Sequence, residues 1–452
     1  MVRDLTQGKP TFRIMNFMLP ILLGNLLQQI YNLTDSIIVG RFVGKDAFAA
    51  VGSTGCLNFL VIGFMLGLSS GLCIPIAHRF GAGDYVRMRR RIASAVYISA
   101  VITVFLTVIT VICTRQLLIL MQTPENILET AISYIRIIFI GILATMLYNL
   151  PANLLRALGD SKTPLYFLII SAVLNILLDL IFVIVFSMGA EGTAVATVLA
   201  QFVSGFLCII YMIKKYSILR FQKGEWQVTG DELCSSFSLG VPMGLQFSVT
   251  AIGSVVLQSA VNTLGSDIVA SVNAAGKVNI FLSQPMEALG LTMSTYCGQN
   301  LGAGKLDRIK TGVKNSLIIT VILSILCGII MVALGNYLSL LFIRQEEMTP
   351  LIEESISRFL LYNSIFFPFL GILLVLRNAA QGLGFSILAM GAGVFEMIAR
   401  SVVAFCFVSA FGFIAICYAN PAAWIAACVI LVPIYLYSLK QVKKMLFNHI
   451  EE

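Results

Sequence analysis

Long apolar stretches alternate with short polar connections along the whole chain. A membrane-crossing helix needs about 20 apolar residues. Twelve runs reach that length: 14–40, 47–75, 91–113, 129–150, 163–187, 192–213, 236–262, 267–296, 314–337, 351–376, 386–410 and 413–438. The pattern predicts an all-α integral membrane protein with twelve transmembrane helices. The opening Met1-Val2-Arg3-Asp4 has no cleavable leader pattern, so the first run is expected to stay as a span. The longest polar connection, 214–235, divides six runs from six. The expected organisation is an N-terminal six-helix lobe over 1–213, a cytoplasmic linker over 214–235, a C-terminal six-helix lobe over 236–440 and a cytoplasmic tail over 441–452.

Composition agrees. The 452 residues are 58% hydrophobic and 12% charged, with a mean hydropathy of +0.93; soluble domains are about 25% charged. The ten cysteines form no CxxC pair and no zinc spacing, which excludes a disulfide scaffold or zinc site. Lying mostly in apolar runs, they read as small core residues. A net charge of +8 raises the question of nucleic acid, and its placement answers it. Of 30 Lys and Arg, 22 fall on one side, in groups such as Arg87, Arg89, Arg90, Arg91 and Lys305, Arg308, Lys310, Lys314, with Arg377 counted among them. Four (Arg41, Lys45, Arg115, Arg344) fall on the other, and Arg136, Lys277, Arg358 and Arg400 lie within spans. The bias puts both termini in the cytoplasm of a multi-pass inner (plasma) membrane protein, which requires an even number of spans. The Arg87–Arg91 cluster reads as an anchor at anionic headgroups.

The halves repeat. Gly44-Lys45-Asp46-Ala47 aligns with Gly265-Ser266-Asp267-Ile268 at an offset of 221, and the same offset pairs Gly81-Ala82-Gly83 with Gly302-Ala303-Gly304 and Arg87 with Arg308. Gly159 meets Gly384 at 225. Each repeat has an even number of spans, so both enter the membrane in the same direction. The expected symmetry is a pseudo-two-fold axis along the membrane normal, with substrate held where the lobes meet.

Ionisable groups inside spans are costly and mark function. Gln28, Asn32 and Asp35 share one face of the first span, and Asn175 and Asp179 share one face of the fifth. Thr193, Thr197 and Gln201 form a stripe on the sixth, and Asn149 and Asn153 one on the fourth. Such stripes face protein or water, because lipid cannot satisfy them. Two carboxylates in a low-dielectric bundle either take up protons or hold a hard cation with Asn and Thr oxygens. In the C-terminal half Val256 stands where Asp35 stands in the first. That half instead carries Glu396 and Arg400 at i,i+4, with Lys277 and Glu287 on the eighth span as an extension of this charge network. Gln246 and Thr250 begin an uncharged stripe on the seventh span, and Gly63, Gly67 and Gly71 give the second a small-residue face for close packing. Pro20 and Pro242 sit at near-equivalent places as hinges.

Catalytic patterns fail. Gly67-Leu68-Ser69-Ser70-Gly71 matches a nucleophile elbow but lies inside a span, and the only histidines are His78 and His449. No Walker motif occurs, so the chain is read as neither enzyme nor ATP-driven pump.

Leu19-Pro20, Gly24-Asn25, Gln28-Gln29, Tyr31-Asn32 and Asp35-Ser36-Ile37-Ile38-Val39-Gly40-Arg41 resemble the first span of multidrug and toxic compound extrusion (MATE) transporters. Phe80-Gly81-Ala82-Gly83, Gly298-Gln299-Asn300-Leu301-Gly302-Ala303-Gly304 and Leu155-Arg156-Ala157-Leu158-Gly159-Asp160-Ser161-Lys162-Thr163-Pro164 resemble further signatures. The resemblance covers nearly the whole chain and is closest to prokaryotic DinF-like members. It implies two six-helix lobes, alternating access, and efflux of organic cations or lipophilic compounds against inward protons or sodium. It assigns cation coupling to Asp35, Asn175, Asp179 and Thr197, the only residues expected to meet a metal ion, as Na+. Gln28, Asn32, Asn149, Asn153, Gln246 and Thr250 are the substrate-cleft candidates. The acids that other members carry on spans seven and ten are absent from Gln246–Thr250 and Phe366–Leu370, which places coupling in the N-terminal lobe. His78 stands where Gln299 stands in the second repeat. The expected partners are small-molecule substrates and membrane lipid, with no nucleic acid and no cofactor beyond the coupling ion, in a monomer. The alternative, a flippase for a lipid-linked saccharide, calls for several Arg along the cleft.

Overall fold

The computed structural model describes residues 4–343 and 348–448. Arg3 and Arg344 of the charge count, His449 and the end of the 441–452 tail lie outside the described residues. The described residues contain helices and no strand. Twelve long elements follow in order: α1 Pro10–Ile38, α2 Gly55–Gly81, α3 Tyr85–Leu120, α4 Glu125–Ile140 with Ile142–Ala157, α5 Lys162–Leu180, α6 Gly189–Lys215, α7 Gly230–Asn262, α8 Ser266–Gly302, α9 Leu306–Ser339, α10 Pro350–Gly382, α11 Ser386–Val402 and α12 Phe413–Asn448. Length and hydropathy alone qualify ten of the described helices as spans, or 11 with the bent α4. The remaining one, α8, is 37 residues long but carries Asn273, Lys277, Asn279, Gln284 and Glu287. The second expected span, 47–75, divides into a short helix Lys45–Ser53 and α2.

The chain forms two compact units, one of residues 23–248 with the first four, the other of Leu5–Leu22 with Val249–Glu452. Relative to lobes drawn at 1–213 and 236–440, two pieces change hands: the start of α1 and the start of α7. Each unit has its own apolar core. Leu57, Met65, Leu68, Ile135, Phe139 and Leu155 belong to the first. Ile14, Phe17, Met286, Leu289, Tyr296 and Phe367 belong to the second, so α1 enters through the second unit's core. Opposite faces are apolar as well: Val101, Phe105 and Ile112 on α3 and Ile318, Ile322 and Ile329 on α9 are exposed. Cys56 and Cys406 are exposed too, against their reading as core residues. A helix in lipid is apolar on its outer face, so an apolar run does not identify the inside.

Small residues set the closest approaches. On α2, a Cβ at Gly67 would lie 2.4 Å from the Met243 carbonyl oxygen, and one at Gly71 2.7 Å from the Gly240 Cα. The α2 stripe thus seats the first half of α7 with backbone against backbone. The 44° bend in α4 falls at Gly141, where a Cβ would meet Val198 Cγ2 at 2.2 Å.

Polar straps tie the connections down. In the linker, both Glu225 carboxylate oxygens accept from Arg89 at 2.6 Å, and the Arg89 Nη1 donates to the Ile218 carbonyl. Phe221 stacks on Trp226 at 4.3 Å. Arg91 donates to the Glu232 carbonyl. Arg89 and Arg91 therefore clamp the linker, where the sequence suggested a headgroup anchor; the bidentate pair leaves Arg89 almost no exposed surface. In the second unit, the 299–308 signature grips the start of the chain. Leu5 N donates to Gln299 Oε1, Lys305 Nζ to the Thr6 carbonyl, and Arg308 to the carbonyls of Leu5 and Gly8.

Gly67→Val is expected to lower thermal stability, since overpacking a close contact costs about 1–3 kcal/mol or more. Gly276→Ala, where no atom lies within 4 Å of the added Cβ, is expected to be neutral or stabilising. Equal effects in a melting assay would refute the close α2–α7 contact.

The Arg89 hydrogen bonds hold the Glu225 carboxyl below its usual value, against the opposing effect of burial. A depressed carboxylate contributes stability that is present above its unfolded pKa of about 4.3 and lost as pH falls through the folded value. The protection of amides over 216–229, relative to their intrinsic exchange rates, should be constant from neutral pH to about 5 and fall below that. Glu225→Gln should exchange faster at neutral pH and show no acid limb.

Candidate functional site

The acid of α1 meets the acid of α5. Asp35 lies within hydrogen-bonding reach of both Asp179 and Thr197. Asp179 and Asn175 are fully buried, one turn apart on α5. The Asn175 Nδ2 donates to Thr197 Oγ1 on α6 at 3.3 Å. The structure therefore brings together all four residues assigned to coupling. Two further residues border them. Tyr31 is buried within reach of Thr197, and Tyr134 on α4 lies in the field of both carboxylates. Tyr31 was legible one turn before Asp35 on the same face; Tyr134 carried no sequence signal, because only the bend in α4 defines its neighbours.

Acceptors dominate this space. Asp35 Oδ1, both Asp179 oxygens and Asn175 Oδ1 are buried with no donor. A buried acceptor without a donor costs about 1–3 kcal/mol, and adjacent carboxylates repel. One proton or one small cation between them relieves both. Among the described residues, no three His, Cys, Asp or Glu groups converge as a metal site. Two carboxylates with amide and hydroxyl oxygens suit a proton or a monovalent hard cation. Both acid helices then pass into a π-helical turn, Val39–Val43 after α1 and Ile181–Val185 after α5. Such turns are weak points of a helix and often accompany function.

The other predicted residues disperse. Asn153 donates to Ser69 Oγ at 2.9 Å and accepts from Arg156. Asn149 bonds back to the Thr145 carbonyl, while the Thr145 hydroxyl donates to Gln201. These amides knit helices together. Gln28 is half-buried, Asn32 exposed, Gln246 buried and Thr250 half-buried.

In the second unit, Glu396 lies between two guanidiniums. Arg377 Nη1 donates to its Oε1 at 2.9 Å, and Arg400 Nη2 is 3.6 Å from its Oε2. The i,i+4 pair thus exists, but the closer partner is Arg377, which the charge count had placed in a loop group. Its contact with Glu396 joins α10 to α11, and no local spacing reveals it. Glu287 is half-buried in the field of Arg377 and Glu396. Lys277 is exposed and makes no ion pair among the described residues, so it stands outside the network. Ten residues from Glu287, about 15 Å along the helix, it is too far away. A further node escaped the sequence reading: Asn363 on α10 accepts from Asn279 of α8 and Asn420 of α12.

A family model described as MatE matches residues 20–181 and again 242–406, once in each repeat. The chain is 30% identical over 385 residues to the "Probable multidrug resistance protein YpnP" of Bacillus subtilis (strain 168), covering 84% of each chain. It is 22% identical over 372 residues to the "Probable multidrug resistance protein NorM" of Thermotoga maritima, over 81% of this chain and 78% of that one. A crystal structure of MATE in complex with MaL6 superposes with a TM-score of 0.89 at 21% identity, over 98% of this chain and 99% of that one. An outward-facing multidrug resistance MATE family transporter of the MOP superfamily gives 0.88 at 21%, over 97% and 98%. At these identities the structural likeness speaks for the fold: transmembrane helices in two lobes.

The geometry around Glu396 predicts unequal losses. Glu396→Ala leaves two buried guanidiniums uncompensated and should cost about 3–5 kcal/mol. Arg400→Ala leaves Glu396 paired with Arg377 and should cost clearly less. Adding Arg377→Ala to Glu396→Ala should recover part of the loss in a thermal double-mutant cycle; strictly additive losses would contradict the pairing.

Proposed function

The chain belongs to the MatE family, and on that premise we propose that it is a secondary active antiporter exporting organic cations or lipophilic compounds in exchange for inward protons or sodium. It is a multi-pass membrane transporter, not an enzyme. Its relatives are named for multidrug resistance, which supports drug export as the direction of its work. We place it in the plasma membrane as a monomer with both termini cytoplasmic, on the charge bias of the connections.

One observation carries the coupling proposal: Asp35 and Asp179 share a buried space in which Asp35 Oδ1 and both Asp179 oxygens have no donor. A proton taken up there ends the repulsion between the carboxylates. Its loss restores repulsion in a medium where neither charge is well solvated. Sodium would be held by the same Asp35 and Asp179 carboxylates with Asn175 Oδ1 and Thr197 Oγ1. Occupancy therefore biases whether α1 and α5 stay together. The π turns beyond the acids are where these helices would change register, and Pro20 is a point where α1 would bend. Alternating access follows if the empty and occupied arrangements favour opposite openings, with Gln28 and Asn32 on the α1 face toward the substrate path.

Efflux of a cationic dye from reconstituted vesicles, under an imposed pH gradient and then an imposed sodium gradient, tests the proposal and names the ion. Asp35→Asn and Asp179→Asn keep the size of the side chain and remove its charge. Each should abolish gradient-driven efflux in a well-folded protein, and the double variant should be hardly worse than either, because the pair titrates as one unit. Normal efflux by either single variant would overturn a shared site.

A further inference from the structure

We propose that the second unit contains a recognition site for the carboxylate of zwitterionic substrates, formed by Arg377 and Arg400 with Glu287 as its built-in competitor. The inference rests on the transporter reading above and adds a substrate class to it. It begins with hydrogen bonds left unmade. Arg400 and Glu396 keep only 8% and 4% of their side-chain surface exposed. Within the cluster, Arg377 Nε and Arg400 Nε and Nη1 are buried with no acceptor. Glu396 cannot serve all the donors around it, since Arg377 takes one oxygen at 2.9 Å and Arg400 approaches the other only to 3.6 Å. Guanidinium donors are rarely left idle in a span unless something else uses them.

The charge count specifies what fits. Glu396 neutralises one guanidinium, and one positive charge remains. Glu287 lies in the field of Arg377 and Glu396, is half-buried, and forms no ion pair within 4 Å among the described residues. A single negative charge completes the cluster; a doubly charged phosphate would overshoot it. Planar carboxylate matches the guanidinium fork. Arg377 keeps 12% of its side chain exposed, against 8% for Arg400. A bound ligand carboxylate competes with Glu287 for the field of Arg377.

The repeat gives independent support. At the offset of 225 that pairs Gly159 with Gly384, Asn175 corresponds to Arg400 and Ser171 to Glu396. The π turn Ile181–Val185 after α5 has its counterpart in Val403–Phe407 after α11. The same place on the duplicated helix thus carries oxygen acceptors in one unit and guanidinium donors in the other. Within the second unit, that place on the helix offers donors suited to an anionic group.

The test uses a rhodamine free acid and its methyl ester, which share a cationic ring system and differ in one carboxylate. Binding to the detergent-purified full chain is read by fluorescence polarisation, and efflux of each dye is followed in vesicles. Arg400→Gln should weaken the free acid by about 10-fold or more, the worth of a charged hydrogen bond, and leave the ester within about twofold. Glu287→Gln should tighten the free acid. Opposite signs at two positions are not the mark of a merely structural cluster. If Arg400→Gln does not fold, Arg377→Gln removes the same surplus positive charge and should show the same discrimination. Equal losses for acid and ester, or weaker acid binding in Glu287→Gln, would overturn the proposal. Vesicles in which the wild type moves neither dye would refute the transporter reading, and the binding measurement would still decide the carboxylate site.

Discussion

Carboxylates buried in a membrane must find donors inside the protein, because lipid offers none and water is excluded. Asp179 finds none for either oxygen, and Asp35 finds none for its Oδ1. Around these two acids the chain supplies an amide carbonyl, a threonine hydroxyl already accepting from Asn175, and two tyrosine rings. The neighbouring architecture follows from that arrangement. The Gly141 bend sets the course of α4, α6 must approach closely enough to bring Thr197 to Asn175, and the acid helices end in π turns. Each feature costs stability on its own. Together they surround a space whose carboxylate oxygens are left without donors.

The two units show how a duplicated scaffold can carry opposite chemistry. Both repeats match one family model. Yet the fifth helix of the first presents Asn175 and Asp179, and its counterpart presents Glu396 and Arg400. The second unit satisfies its central polar node with amides: Asn363 receives two neighbours and donates to its own helix. Such a node is complete without an ion. In the first unit, by contrast, buried oxygens of Asp35, Asp179 and Asn175 are left without donors.

The sequence signatures serve mainly to fasten. Asp160, in the 155–164 signature, caps α5 by accepting from Lys162 N and Thr163 N, and it accepts from the Tyr216 hydroxyl at the end of α6. Gln299, Lys305 and Arg308 hold the first residues of the chain by their backbone. Backbone-directed bonds tolerate variation in the segment they hold, while the holding side chains must keep their chemistry. That is why these motifs identify the family but lie apart from the acids.

Hydrophobic periodicity by itself determined the class of protein and the number of long helices, because each is a matter of local chain chemistry: about twenty apolar residues span a bilayer whatever surrounds them. It also made Asp35, Asn175, Asp179 and Thr197 visible, since a polar residue in an apolar run is conspicuous without any partner. Partnership itself was not legible. Nothing in the spacing showed that Arg377 would reach Glu396, that Lys277 would stand outside, that Arg89 would bind Glu225, or that Cys56 and Cys406 would face outward. Those outcomes depend on which helix faces lie against each other. In a membrane both the inner and the outer face are apolar, so hydrophobicity cannot choose between them. Only the tertiary structure decides, through the few places where a glycine admits a backbone or a buried charge finds its counterpart.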